Sequence, residues 1–202
     1  MNQNCWDIWP DRGFLMSPDP VVDLASVEGL DALITREAVE HLSVTATQLP
    51  HLLANHTVRP TLDVFPTYDM SSLSEVTAFN VVERLMQIYS YFASAYVYAT
   101  DEEAAHHIPA GVARALCQLA QLVDRPPILS YTSYVLGNWR RPATGAGIDV
   151  DKLELIQNFL GNRDESWFIL IHVDIEARAA AALQGIQQAM AAAEVQHTEQ
   201  LE

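Results

Sequence analysis

Seven histidines are the side chains of this 202-residue chain best suited to bind a metal or move a proton, and their surroundings separate them. His41, His51, His56, His106, His107 and His197 fall in polar or loop-like stretches and read as ordinary surface residues. His172 interrupts the most apolar run, WFILIHV over 167–173, where an imidazole must be hydrogen-bonded, charge-paired or turned toward a cavity. Glu176 follows one helical turn later on the same face, whereas Asp174 points elsewhere. Two chemistries fit that spacing. In one, Glu176 accepts a hydrogen bond from His172 and the two are a satisfied structural pair. In the other, they are half of a carboxylate–histidine metal site in a helix bundle, which requires further ligands at matching spacing on another helix.

A second concentration of chemistry is PPILSYTSYVLGNW, where hydroxyl-bearing and aromatic residues sit inside an apolar segment. Tyr131, Tyr134 and Val135 fall at helical spacing along one side. That face suits either core packing or a pocket that holds a flat aromatic ligand by stacking and occasional hydrogen bonds. A nucleophile elbow, a P-loop and a dinucleotide fingerprint are all absent, so hydrolase, nucleotide and dinucleotide readings have no support.

The elements that must position these residues read as helices. Asp19 before Pro20 is an N-cap with proline at the first helical position, predicting a short helix over 21–27. A helical stretch over 36–55 is expected to break around Thr45, Thr47 and Pro50. The SLSE spacing from Ser72 to Glu75 reads as a capping box opening a long helix. Its stripe of Val76, Phe79, Val82, Met86, Tyr89, Phe92, Ala93 and Tyr96 reads as packing against a core. Further helices are expected over 110–123 and 128–139, the latter ending in Arg140, Arg141 and Pro142. A short helix capped by Asp149 or Asp151 and reaching Phe159 comes next. A long alanine-rich helix starts near Asp164 and Glu165. No segment has convincing strand alternation, and there is no internal repeat.

Bulk properties bound the function. An apolar fraction of 50% with 18% charged residues describes a structured chain able to bury a core. A net charge of −15, with 11 scattered Lys and Arg, argues against nucleic acid and offers no basic face to anionic lipid. Cys5 and Cys117 lie far apart, without metal spacing, as in a reduced cytoplasmic protein. The start carries no secretory signal pattern, and no run reaches membrane-spanning length.

Three stretches in this order, RGFLMSPDP, PPILSYTSYVLGNWRRP and DESWFILIHVDIEARAAAAL, resemble the indoleamine 2,3-dioxygenase family. The resemblance runs along the whole chain but covers only the front portion of the family. It implies an all-α fold: a small helical N-terminal domain over 1–142, a connecting segment over 143–163, and at 164–202 the first long helix of an incomplete haem-binding domain. It also implies haem b as cofactor, tryptophan or a related indoleamine and dioxygen as substrates, and indole C2–C3 cleavage to N-formylkynurenine. By position, Phe168 would stack on the indole while Tyr131, Tyr134 and Val135 line the distal pocket. His172 would stand over the open haem face and position the substrate without ligating iron, and Glu176 would orient the His172 ring from behind. The family's proximal histidine, its arginine for the substrate carboxylate and its glycine-rich loop have no counterpart here, and His197 is not assigned as the iron ligand. The chain alone is therefore expected to be an incomplete, inactive dioxygenase. Two alternatives from other classes are a non-catalytic module binding an aromatic ligand, and a helical protein that self-associates or pairs with a separate C-terminal half.

Overall fold

One helix is buried on nearly every side, and the rest of the N-terminal core is laid against it. In the computed structural model, which describes residues 8–74, 78–142 and 147–199, that helix is the third of five α-helices: α1 (Arg36–Ala54), α2 (Val58–Asp63), α3 (Phe79–Val97), α4 (Ala110–Leu122) and α5 (Arg163–Glu199). Helix α3 touches α1, α2, α4 and the turn Thr132–Leu136, and all its residues from 81 to 93 are buried. The sequence stripe marks one face of α3, whereas neighbours on several sides also bury Glu83, Arg84, Gln87 and Ser90. The fold is all-α. Outside the helices, the described residues pair only at isolated bridges, Trp9 with Gly13 and Arg140 with Glu154. No helix among them is long and apolar enough to cross a membrane.

Several local expectations give way to longer-range contacts. The carboxylate of Asp19 is clamped by Arg12 Nη1 at 2.8 Å and by Arg141 Nε and Nη2, each at 2.7 Å, so it caps nothing. Asp23 instead caps a single 3-10 turn, Leu24–Ser26, in place of the helix over 21–27. Helix α1 runs through Thr45, Thr47 and Pro50 without a break. Pro50 has no N–H for the Ala46 carbonyl four residues back, and Gln157 Nε2 donates to that carbonyl at 2.8 Å, replacing the lost bond. Ser72 donates its hydroxyl to the Leu33 carbonyl at 2.9 Å and lies in a 3-10 turn, Ser71–Ser74. It therefore does not cap α3, which starts at Phe79; Glu75 and Val76 lie outside the described residues. His41, read as a surface residue, is half-buried, stacked on Phe65 at 4.7 Å and bonded to the Tyr68 hydroxyl at 2.9 Å.

The helix expected over 128–139 is one π-type turn, Thr132–Leu136, entered from Tyr131. The chain before it is not helical, and the Ile128 N–H is taken by the Pro126 carbonyl two residues back at 2.8 Å. The segment before Phe159 holds only the 3-10 turn Val150–Lys152, capped by the Asp149 carboxylate. Helix α5 begins as expected, and its cap is built from Asn162 and Glu165. Asn162 Oδ1 accepts from Glu165 N at 2.9 Å, and the Glu165 carboxylate accepts from the N–H groups of Phe159, Leu160 and Gly161 at 2.7, 2.8 and 3.2 Å.

A second, smaller core joins parts of the chain far apart in sequence. Leu15, Val135, Trp139, Leu153, Ile169, Leu170 and Val173 pack together, drawing on all three stretches that carry the family resemblance. Gly13 allows the lead-in to reach α5. Its φ is +62°, and a Cβ there would sit 2.6 Å from the Glu176 carbonyl oxygen. With the Asp19 clamp, this contact ties the lead-in to both α5 and the segment after the turn.

Candidate functional site

The π-type turn and the start of α5 face each other across an open concavity of about 530 Å³. On the turn, the Gly137 N–H reaches the Thr132 carbonyl at 2.9 Å, a five-residue step. The side chain of the fully buried Asn138 donates to the Tyr134 carbonyl at 3.1 Å and to the Gln157 carbonyl at 2.8 Å. The Gln157 N–H donates back to Asn138 Oδ1 at 2.8 Å. Asn138 Nδ2 also lies 2.9 Å from the Tyr91 hydroxyl, which burial holds well above the ordinary tyrosine pKa and therefore keeps neutral. This polar knot fixes the turn over α3, with Tyr131 and Tyr134 toward the concavity and Val135 shared with the second core.

On α5, Phe168, His172 and Glu176 recur every four residues and so share a face. Tyr131, Tyr134, Val135, Phe168 and His172 all line the concavity; Glu176 does not. Phe168 and Tyr131 are 54% and 46% exposed, so their rings are open to a ligand rather than consumed in packing. The imidazole of His172 lies 4.8 Å from the Phe168 ring and 6.4 Å from the Tyr131 ring, edge-on to the latter at 79°. His172 is thus half-buried at the edge of an open space, not enclosed in the apolar run as its sequence neighbours suggest.

The hydrogen bonds at this site differ from the expected pairing. His172 Nδ1 lies 2.6 Å from the Phe168 carbonyl, an acceptor only, so Nδ1 carries a proton and, of the two ring nitrogens, Nε2 is the one left to meet a ligand. Glu176 does not orient His172. Its Oε1 accepts from the Tyr131 hydroxyl at 3.2 Å, because folding places the turn nearer to it than the imidazole one turn back. Burial first, and then the Glu176 carboxylate, push the Tyr131 phenol up to about 12, so it stays a neutral donor. Tyr134 is also raised, by burial and by the negative charge of Glu165.

Phe159 is a lining residue that the sequence reading passed over. It stacks on Tyr91 at 4.3 Å, and its N–H is held by the Glu165 carboxylate, so the cap of α5 also sets the floor of the concavity. The N-x-x-E pattern of Asn162 and Glu165 was the available signal. Apolar walls, exposed aromatic faces and one imidazole with a free ring nitrogen suit a flat heteroaromatic ligand that bears an N–H.

Comparison with known proteins gives the same direction. A family model described as indoleamine 2,3-dioxygenase matches residues 2–202. Indoleamine 2,3-dioxygenase 1 of Mus musculus is 26% identical over 194 residues, covering 95% of this chain and 44% of the relative. Indoleamine 2,3-dioxygenase of Saccharomyces cerevisiae is 29% identical over 186 residues, 87% of this chain and 38% of the relative. Indoleamine 2,3-dioxygenase 2 of Homo sapiens is 25% identical over 146 residues, 71% and 35%. The chain spans less than half the length of these relatives. With one family model matched along nearly all of its residues, and the three resembling stretches packed into one core beside the aromatic concavity, this chain belongs to the indoleamine 2,3-dioxygenase family.

Proposed function

We propose that the concavity between the turn and α5 is the distal wall of a haem dioxygenase site that takes tryptophan or a related indoleamine. The observation that carries this reading is the single imidazole, His172, held through Nδ1 on the Phe168 carbonyl among open aromatic rings. The lining fits the open side of a haem b: it is broad and largely apolar, and it carries one imidazole and no thiolate or carboxylate. It does not supply the ligating side as well, since no second histidine lines the concavity. The iron ligand would therefore come from outside the residues that line this concavity. When bound, haem iron supplies the activation of dioxygen for its insertion across the indole C2–C3 bond.

The chain's own residues would bind and orient the substrate. Phe168 stacks on the indole, Tyr134 and Val135 bound the pocket, and His172 Nε2 accepts the indole N–H while its Nδ1–H goes on donating to the Phe168 carbonyl. Tyr131, held by Glu176, closes one edge. The test is an NMR titration of the full chain, mixed with haemin, by L-tryptophan. Shifts centred on Phe168, His172 and Tyr134, and lost in Phe168→Ala, support the reading. Saturable binding that perturbs only other regions would overturn it.

A companion reading is favoured by the outer face of α5, where Ile175, Ile186 and Met190 are 55%, 57% and 61% exposed. A stripe of that kind suits a helical partner supplied separately, such as the remaining part of a dioxygenase. Size-exclusion chromatography with and without a C-terminal half from a relative tests it; unchanged elution of both would count against it.

A further inference from the structure

The turn that carries Tyr131 and Tyr134 on one side has a charged cavity on another. Arg84, on α3, is 8% exposed, and burial pushes its guanidinium down to about 10, leaving it cationic at neutral pH. Its one hydrogen bond goes to Gln87 Oε1 at 2.5 Å, its Nε has no acceptor, and it makes no ion pair among the described residues. The orientation of Gln87 is settled from its other end, where Nε2 donates to the Ser133 carbonyl at 2.8 Å and the Gly137 carbonyl at 3.4 Å. Ser133, 2% exposed, has a buried hydroxyl that is also without a partner.

Arg84 and Ser133 line the same small cavity, together with Gln87, Thr132 and Gly137. It has about 10 Å³ of room for the centre of a water-sized guest, the lower limit for one water, so a chloride, roughly 0.4 Å larger in radius, enters as the flexible ends of Arg84 and Met16 give way by that amount. Glu83 also borders it, but that carboxylate is paired with Arg125, so the charge left over is that of Arg84. A buried cation with unmet donors is strongly unfavourable unless something neutralises and hydrogen-bonds it. A water meets the donors but leaves the charge; a monoatomic anion meets the donors and offsets the charge.

We propose that this cavity is a single-anion site, in which one chloride-sized anion accepts from Arg84 and the Ser133 hydroxyl. Through Gln87 the anion braces the carbonyls of Ser133 and Gly137, and with them the turn that shapes the aromatic concavity. The site is independent of the haem reading, since it needs neither cofactor nor substrate.

The experiment is a thermal melt of the full chain in sodium gluconate, with chloride substituted at constant ionic strength. A saturable rise in Tm of about 3–6 °C is expected once chloride reaches about ten times its Kd. Arg84→Met, checked for helicity by circular dichroism, is expected to abolish the chloride dependence, and Ser133→Ala to weaken it several-fold. Crystals grown in bromide decide the matter even if Arg84→Met does not fold: an anomalous peak beside Arg84 supports the site. Identical melts in chloride and gluconate, or a bromide crystal with no anomalous signal there and a water only, would overturn it.

Discussion

The Tyr131 hydroxyl donates to Glu176 Oε1 at 3.2 Å, tying the π-type turn to α5 at the edge of the concavity. This bond holds one wall of the pocket to the other, and it replaces the His172–Glu176 pair that spacing alone suggests. It also leaves His172 answerable only to the Phe168 carbonyl.

The first consequence is a pH dependence. The Tyr131 phenol, raised from 10.0 to about 12 by burial and by Glu176, contributes stability that is complete below pH 10 and lost as pH rises through about 12. The ultraviolet difference titration between the native chain and Tyr131→Phe is expected to show a phenol step near 12, moved downward in Glu176→Gln. A Tyr131 step near 10 in the native chain would show that the bond does not form.

Gln157 and Pro50 are expected to be coupled although they are distant in sequence. Gln157→Leu leaves the Ala46 carbonyl without a donor, a loss of about 1–3 kcal/mol. In a Pro50→Ala background the helix N–H returns to that carbonyl, and the same change is expected to cost distinctly less. A double-mutant cycle by urea denaturation measures this, and additive costs would count against the replacement bond.

Gly13 and Gly29 separate two kinds of glycine requirement. Both have positive φ, at +62° and +77°, but a Cβ at Gly13 meets the Glu176 carbonyl at 2.6 Å while one at Gly29 meets nothing within 4 Å. Gly29→Ala is expected to cost about 1–2 kcal/mol from backbone strain alone. Gly13→Ala adds a close contact that typically costs about 1–3 kcal/mol more. It should also raise hydrogen exchange along 9–19. Equal losses of Tm for the two variants would mean the lead-in does not press on α5.

What the sequence made legible follows from how local each signal is. Helix α4 and the start of α5 depend on apolar periodicity and on residues within one turn, and these read correctly. Pro50 misled because its missing hydrogen bond is supplied by Gln157, from a segment that periodicity cannot connect to α1. The segment over 128–139 looked helical, yet only one turn forms after the two prolines, with the Asn138 side chain taking the Tyr134 carbonyl. At the site, Tyr131, Tyr134, Val135, Phe168 and His172 were all named in advance and all line one concavity. Glu176 was given the wrong partner, since an (i, i+4) neighbour is visible in sequence and a tertiary one is not. Phe159 went unnoticed because what places it is the cap of the following helix.

The most direct test compares indole with 1-methylindole for affinity to the full chain by calorimetry. If His172 Nε2 accepts the indole N–H, indole binds about three- to tenfold tighter, the equivalent of one neutral hydrogen bond. The preference then disappears in His172→Ala. Equal affinity for the two ligands in the native chain, or a preference that survives His172→Ala, would contradict the assignment of this concavity as the indole site.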